Sequence, residues 1–251
     1  MSWRSMIFNS VVTLAPRFTL PMTYARYRHN GMLDPELALL PQWVRPGSVV
    51  VDVGANIGVF SYALCRLGAS VEAFEPVPEC AAKLRTYKSA RLRLHNVALS
   101  SEPGELSLHV PMTDGMPNYG RASLSNEFEK NDLVLKVPVK RLDDFGFENV
   151  SFIKIDCEGH ESKVLAGAAE TIRRNMPVIF VEIEQRHLAV PMAEVFDAFL
   201  EPGYQGFFHR DGRFCPLSEF SFARDQEPYM ENPDAQPAYV NNFIFKPVSG
   251  R

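Results

Sequence analysis

The chain has four cysteines in 251 residues, Cys65, Cys80, Cys157 and Cys215, and no two of them form a C-x-x-C pair. Their spacing excludes a disulfide framework and a cysteine zinc site, and fits a reducing, cytoplasmic compartment. Basic residues are not in excess: 26 Lys and Arg against 30 Asp and Glu give a formal net charge of −4. With a pI near 5.9, a nucleic-acid binder held by phosphate contacts is not expected. No apolar run reaches membrane-spanning length, so integral membrane association is not expected either. The N-terminal stretch, interrupted by Asn9, Thr13 and Pro16, lacks the apolar core of a signal peptide. Internal repeats and low-complexity tracts are missing as well. What remains is a chain with 46% hydrophobic residues, enough for one large domain with small appendages.

The organising stretch is Ser48 to Gly58. The β-branched run Val49–Val53 suits a strand buried on both faces of a parallel sheet. Gly54 and Gly58 end it, and an apolar helical pattern follows from Val59 to Leu64. Strand, glycine turn and helix bring backbone close to a nucleotide-like ligand. A second strand, Ser70 to Glu75, ends on an acid about 20 residues further on, at the spacing used to hold ribose hydroxyls. A tight turn and a solvated strand end are the plainer reading of the same residues. Asp52, an acid inside an apolar strand, needs a partner to be tolerated there. The turn itself reads Gly54-Ala55-Asn56-Ile57-Gly58, not the G-x-G-x-x-G of a dinucleotide fold.

Residues 1–45 read as a helical prelude or cap. Tyr24 to His29 form an aromatic and basic cluster, either a surface arm or a cover over the ligand site. Asp34 and Pro35 open a helix running to about Val44. Residues 46–247 form the main domain, with a hairpin and loop inserted at about 104–140. Alternation at Leu106, Leu108 and Val110, and from Leu133 to Val139, predicts the hairpin strands. The intervening loop from Pro111 to Asp132 is long enough to be functional. Phe152–Asp156 predicts a central strand that turns into a helix at Cys157-Glu158-Gly159-His160-Glu161. Val178–Glu184 predicts another buried strand, Met192–Leu200 a helix, and Tyr204–His209 with Tyr239–Phe245 a closing pair. The proline-rich segment Glu227–Pro237 is placed to wall a pocket.

The run Phe152-Ile-Lys-Ile-Asp-Cys-Glu-Gly-His-Glu161, followed by Val164-Leu-Ala-Gly-Ala168, closely resembles the FkbM-type methyltransferase family. Val51–Gly58, Asn118-x-Gly-x-Ala-Ser-Leu124, Arg141-Leu-Asp-Asp144 and Asn242-Phe-Ile-Phe245 support the match, from about Pro46 to Pro247. The resemblance implies a Rossmann-like class I α/β fold, with a mostly parallel seven-stranded sheet, helices on both faces and an antiparallel closing strand. It implies S-adenosylmethionine (SAM) as cofactor and methyl transfer to a hydroxyl, on a sugar or glycan first and a polyketide-type molecule next. Carried over by position, Asp52, Gly54, Ala55, Asn56 and Gly58 surround the cofactor's methionine part, and Glu75 with Pro76 takes the ribose. Asn96 and Ala98 lie near the adenine, and Asp156 and Glu158 face the methyl group. His160 stands where relatives often carry a smaller or apolar residue, and it joins Asp156 and Glu158 as a catalytic candidate, with His187 behind them. Asn118, Ser123, Glu182 and Glu184 are the acceptor-side candidates.

Acids at a helix start also favour the helix dipole, and Glu158 with Glu161 has cap spacing, so a structural role for them stands beside the catalytic one. Lys154 shares a strand face with Asp156 and either tunes it or snorkels to solvent. No residue is assigned as a metal ligand. A metal-assisted variant would draw on Asp156, Glu158, Glu182 and Glu184. A nicotinamide oxidoreductase and a catalytically silent binding subunit are the two rival functions. Oligomeric state is left open.

Overall fold

A computed structural model describes residues 18–30, 35–113, 115–124, 132–201, 203–210, 213–230 and 238–248. The expected cap at Asp34, residues 1–17 and 31–33 of the prelude and parts of the two long loops (125–131 and 231–237) lie outside these residues.

The strands of the main sheet are β1 (Val49–Val53), β2 (Ser70–Phe74), β3 (Leu92–His95), β4 (Val150–Ile155), β5 (Val178–Glu182), β6 (Tyr204–Arg210), β7 (Arg213–Pro216) and β8 (Asn242–Pro247). Their order is β7-β6-β8-β5-β4-β1-β2-β3. The first five strands in sequence pair in parallel, and β8 runs antiparallel to both β5 and β6. This is the expected α/β fold with one strand more. The short β7 folds back on β6 as a hairpin, and its four residues carry no alternation long enough to read beforehand.

The helices among the described residues are α1 (Thr19–His29), α2 (Val59–Arg66), α3 (Pro78–Leu84), α4 (Glu161–Ala166), α5 (Ala169–Asn175), α6 (Met192–Leu200) and the one-turn α7 (Phe222–Asp225). Pro35–Gln42 is a 3₁₀ stretch instead of the expected α-helix. Pro41 inside it has no N–H to give and would clash with an α-helical carbonyl one turn back.

Strand alternation divides the core between the two faces of the sheet. Val51, Val53, Ile153 and Ile155 pack with Val164, Ile172 and Phe196 on one side. Val50 and Phe152 pack with Leu20, Trp43, Phe60 and Leu64 on the other. Asp52 and Lys154 therefore project to the α1–α2 side, both almost fully buried. A second, three-stranded sheet joins Ala98–Leu99, Leu133–Lys140 and Gly104–Val110, with Leu108, Val137 and Val139 buried against Val77 and Cys80. No helix among the described residues is long and apolar enough to cross a membrane.

Candidate active site

The parallel strands β1, β2 and β4 end side by side, and the first turn beyond each builds the site. Gly54 has φ +71°, and a Cβ on it would lie 1.9 Å from the Asp156 carbonyl oxygen. The β1 and β4 turns thus meet at a distance only glycine permits. Asn56 is also left-handed, with φ +49°. Its backbone N–H donates to Glu75 Oε2 at 2.7 Å, and the Val77 N–H donates to Glu75 Oε1 at 2.7 Å. Burial nevertheless pushes the Glu75 carboxyl up to about 7, because those donors only partly offset its desolvation.

Asp52 has its partners. Ser61 Oγ of α2 donates to Oδ2 at 2.6 Å, and Lys154 Nζ lies 3.6 Å from Oδ1. Lys154 does not snorkel: it donates to the Gly54 carbonyl at 2.8 Å and pairs with Asp156 Oδ2 at 3.0 Å. Burial works against its charge, but Asp156 and Asp52 outweigh that and hold its pKa above the ordinary lysine value.

A cleft opens above these turns. Gly54, Asn56, Glu75, Asp156, Glu158 and His160 line it, together with the apolar and aromatic residues Val97, Leu99, Leu108, Tyr119 and Leu124. Pro76 and Ala98 also reach it. Other candidate cofactor residues stand behind this wall. Asp52 and Ala55 are buried, and Gly58 (φ +92°) lets α2 begin where a Cβ would meet Leu84. Asn96 donates to the carbonyls of Glu75 and Pro76 at 2.7 and 3.1 Å, bracing the turn instead of facing the cleft.

Among the catalytic candidates, Glu158 is left-handed (φ +47°), and its Oε2 lies 2.9 Å from His187 Nε2. His160 Nε2 contacts Ser100 Oγ at 2.9 Å. Burial drives the His160 pKa down to about 4, which keeps the ring neutral and makes it a weak proton acceptor. On the acceptor side, Ser123 Oγ donates to the Glu158 carbonyl at 2.5 Å and ties the inserted loop to the motif. Asn118 sits on that loop, where its amide reaches Thr113 Oγ1 at 3.4 Å. Glu182 Oε1 accepts from Asn241 at 2.6 Å. Both Glu184 oxygens accept from Arg186, at 2.7 and 2.9 Å, and Oε2 also accepts from the Tyr239 hydroxyl. Burial raises the Glu184 pKa, but these donors outweigh it and hold the group below the usual carboxylate range.

Sequence reasoning did not pick out Ser61, Arg186, Tyr239 or Gln226. Gln226, fully buried, donates to the Ile183 and Val240 carbonyls at 2.8 Å and accepts from the Gln185 N–H at 3.0 Å. The partners of Ser61, Tyr239 and Gln226 are 9 to 55 residues distant, so no local pattern announces them. Only the charge on Arg186, next to the acidic end of β5, was a signal.

A mostly parallel sheet ending in a glycine turn, a ribose-spaced acid and an Asp-x-Glu turn defines the class I methyltransferase architecture. Residues 52–205, more than half of the chain, match the family described as the Methyltransferase FkbM domain. The chain belongs to the FkbM methyltransferase family and is a methyltransferase. An oxidoreductase and a silent subunit are both set aside by that assignment. The chain is similar to the 2-O-methyltransferase NoeI of Sinorhizobium fredii, with 30% identity over 174 residues, 61% of this chain and 71% of the relative. It is also similar to the 31-O-demethyl-FK506 methyltransferase FkbM of Streptomyces tacrolimicus, with 31% identity over 160 residues. That match covers 51% of this chain and 62% of the relative, under two thirds of its length. The crystal structure of a methyltransferase FkbM from Methylobacillus flagellatus shares the fold, with a TM-score of 0.50 at 17% identity over 94% of this chain and 60% of the other.

Proposed function

We propose that the protein is a SAM-dependent O-methyltransferase acting on a hydroxyl of a sugar or glycan, with a polyketide-type acceptor as the next choice. One observation carries the reading: a single cleft is lined by Glu75 at the end of β2, Gly54 beyond β1, and Asp156 with Glu158 beyond β4. The donor set fits SAM. A buried carboxylate suits two ribose hydroxyls, and Val97 and Leu99 supply an apolar wall for adenine. Both named relatives transfer methyl to oxygen, as their names state. The tyrosines, carboxylates and guanidinium around Glu184 and Tyr239 suit a hydroxyl-rich acceptor. Four free cysteines agree with a reducing, cytoplasmic setting.

SAM supplies a methyl group already activated on a sulfonium. This chain's residues hold the acceptor oxygen in line and take its proton. Apart from the ribose-side Glu75, Asp156 and Glu158 are the carboxylates that line the cleft, and His160, neutral and engaged with Ser100, is the weaker choice. Calorimetry with SAM and S-adenosylhomocysteine tests the cofactor. Labelled SAM with a panel of glycans, read by mass spectrometry, tests the acceptor. Asp156→Asn and Glu158→Gln should keep cofactor affinity, and loss of the base should cost about 10²–10⁴-fold in single-turnover rate. Transfer confined to amines or thiols would overturn the acceptor class, and normal rates in both variants would overturn the carboxylate base.

A further inference from the structure

Beside the cleft, Glu158, Glu184 and His187 each offer one ligand atom, and the three atoms lie within 4.8 Å of one another. They come from two neighbouring strand ends, Glu158 from the turn beyond β4, and Glu184 with His187 from the 3₁₀ turn beyond β5. No side chain fits between those turns: a Cβ on Gly159 would fall 2.3 Å from the His187 carbonyl oxygen.

The His187–Glu158 contact is unusual in its direction. Nε2 and Oε2 are 2.9 Å apart, yet Nε2 is closed off from solvent and makes no hydrogen bond among the described residues. A ring N–H aimed at the carboxylate would give a short, straight hydrogen bond at that distance. Two ligand atoms about 2.1 Å from one ion and at right angles around it stand roughly 3.0 Å apart, and neither points at the other. The observed pair has that separation and that misdirection.

We propose that Glu158, Glu184 and His187 bind a divalent cation of the Mn²⁺ class. One imidazole with two carboxylates suits a first-row transition ion, whereas Mg²⁺ and Ca²⁺ prefer oxygen alone. Of the four acids open to a metal-assisted enzyme, only Glu158 and Glu184 converge with a histidine, whereas Asp156 pairs with Lys154 and Glu182 accepts from Asn241. Arg186 and Tyr239 orient Glu184 and leave Oε1 a free lone pair. The guanidinium charge opposes the ion, so the affinity belongs in the weak range, on the order of 10⁻⁴ M. Resting on the methyl-transfer reading, the ion's open positions beside the cleft would hold the acceptor oxygen. Glu158 is then a ligand, and the proton falls to Asp156.

The test is a titration of the full chain with MnCl₂, followed by calorimetry and by loss of the free Mn²⁺ resonance signal, for the parent, Glu158→Gln and His187→Gln. Melting curves identify the variants that fold, and both positions are partly exposed. One site, weakened at least about tenfold in each folded variant, is the expected result. No binding up to millimolar Mn²⁺, or equal binding in parent and variants, overturns the site as an adventitious ion only. SAM affinity is measured on the same samples. A chain that binds SAM but no Mn²⁺ up to millimolar sinks the metal site and leaves the SAM-dependent reading, and one that binds Mn²⁺ but no SAM does the reverse.

Discussion

Glu75 should make cofactor binding depend on pH in a calculable way. In the free protein burial holds its carboxyl at about 7, above the ordinary 4.5. Ribose hydroxyls donating to the carboxylate favour its charged form, so binding lowers the pKa and releases a proton below neutrality. If the bound value returns to about 4.5, affinity at pH 6 falls about tenfold from its plateau above pH 8, and at pH 5.5 about thirtyfold. The sign for the free protein is opposite. The folded pKa lies above the unfolded one, so this group's contribution to stability is present below pH 4.5 and lost as pH rises through about 7. Calorimetry from pH 5.5 to 8.5 in buffers of different ionisation enthalpy reads both affinity and proton release. Glu75→Gln should bind more weakly, with one backbone N–H left facing an amide, and without this pH dependence. Affinity that is flat with pH in the parent, or equally pH-dependent in Glu75→Gln, would refute the assignment of Glu75 to the ribose.

Three further outcomes can be measured. Gly54→Ala combines a φ of +71° with a Cβ 1.9 Å from the Asp156 oxygen. It should abolish measurable SAM binding and destabilise by more than about 2 kcal/mol in urea, since left-handed strain alone costs roughly 1–2 kcal/mol. Lys154→Met strands Asp52 and Asp156 without their cation. A loss of about 3–5 kcal/mol is expected, partly recovered when Asp52→Asn is added, and an unchanged urea midpoint would refute the pairing. Burial raises Glu161 to about 7, with one carboxylate oxygen unpartnered and the other accepting the Gly159 N–H at 2.9 Å. Relative to the parent, Glu161→Gln should gain about 2–3 kcal/mol between pH 5 and pH 8, and parallel stability curves would contradict that.

The parts legible in the sequence were those written in consecutive residues. The valine run of β1, the glycine turn, Glu75 and the Asp156–Glu161 stretch each carry a local signal, and the strands and turns they predicted are present. The prediction blurred where a local pattern competes with a single residue, as at Pro41, which converts an expected α-helix to 3₁₀. Roles set by distant partners were not legible. Asn96 has a plausible position for adenine, but its amide is spent on the carbonyls of Glu75 and Pro76. Lys154 admitted two readings until its neighbours were known, because strand alternation fixes the face but not what covers it.

Lys154 also has a consequence for how such an enzyme diversifies. By holding the Gly54 carbonyl and the Asp156 carboxylate together, at 2.8 and 3.0 Å, it fuses two strand ends into one unit. Substitutions within that unit should be strongly epistatic, since neither turn can shift without the other. The rim is tethered differently, by Ser123 to the Glu158 carbonyl and by Tyr239 to Glu184. New acceptors are most readily evolved or engineered on the segments at 116–124 and 238–240, with the fused pair left untouched. Lys154 thus marks the boundary between a fixed platform and its exchangeable edge.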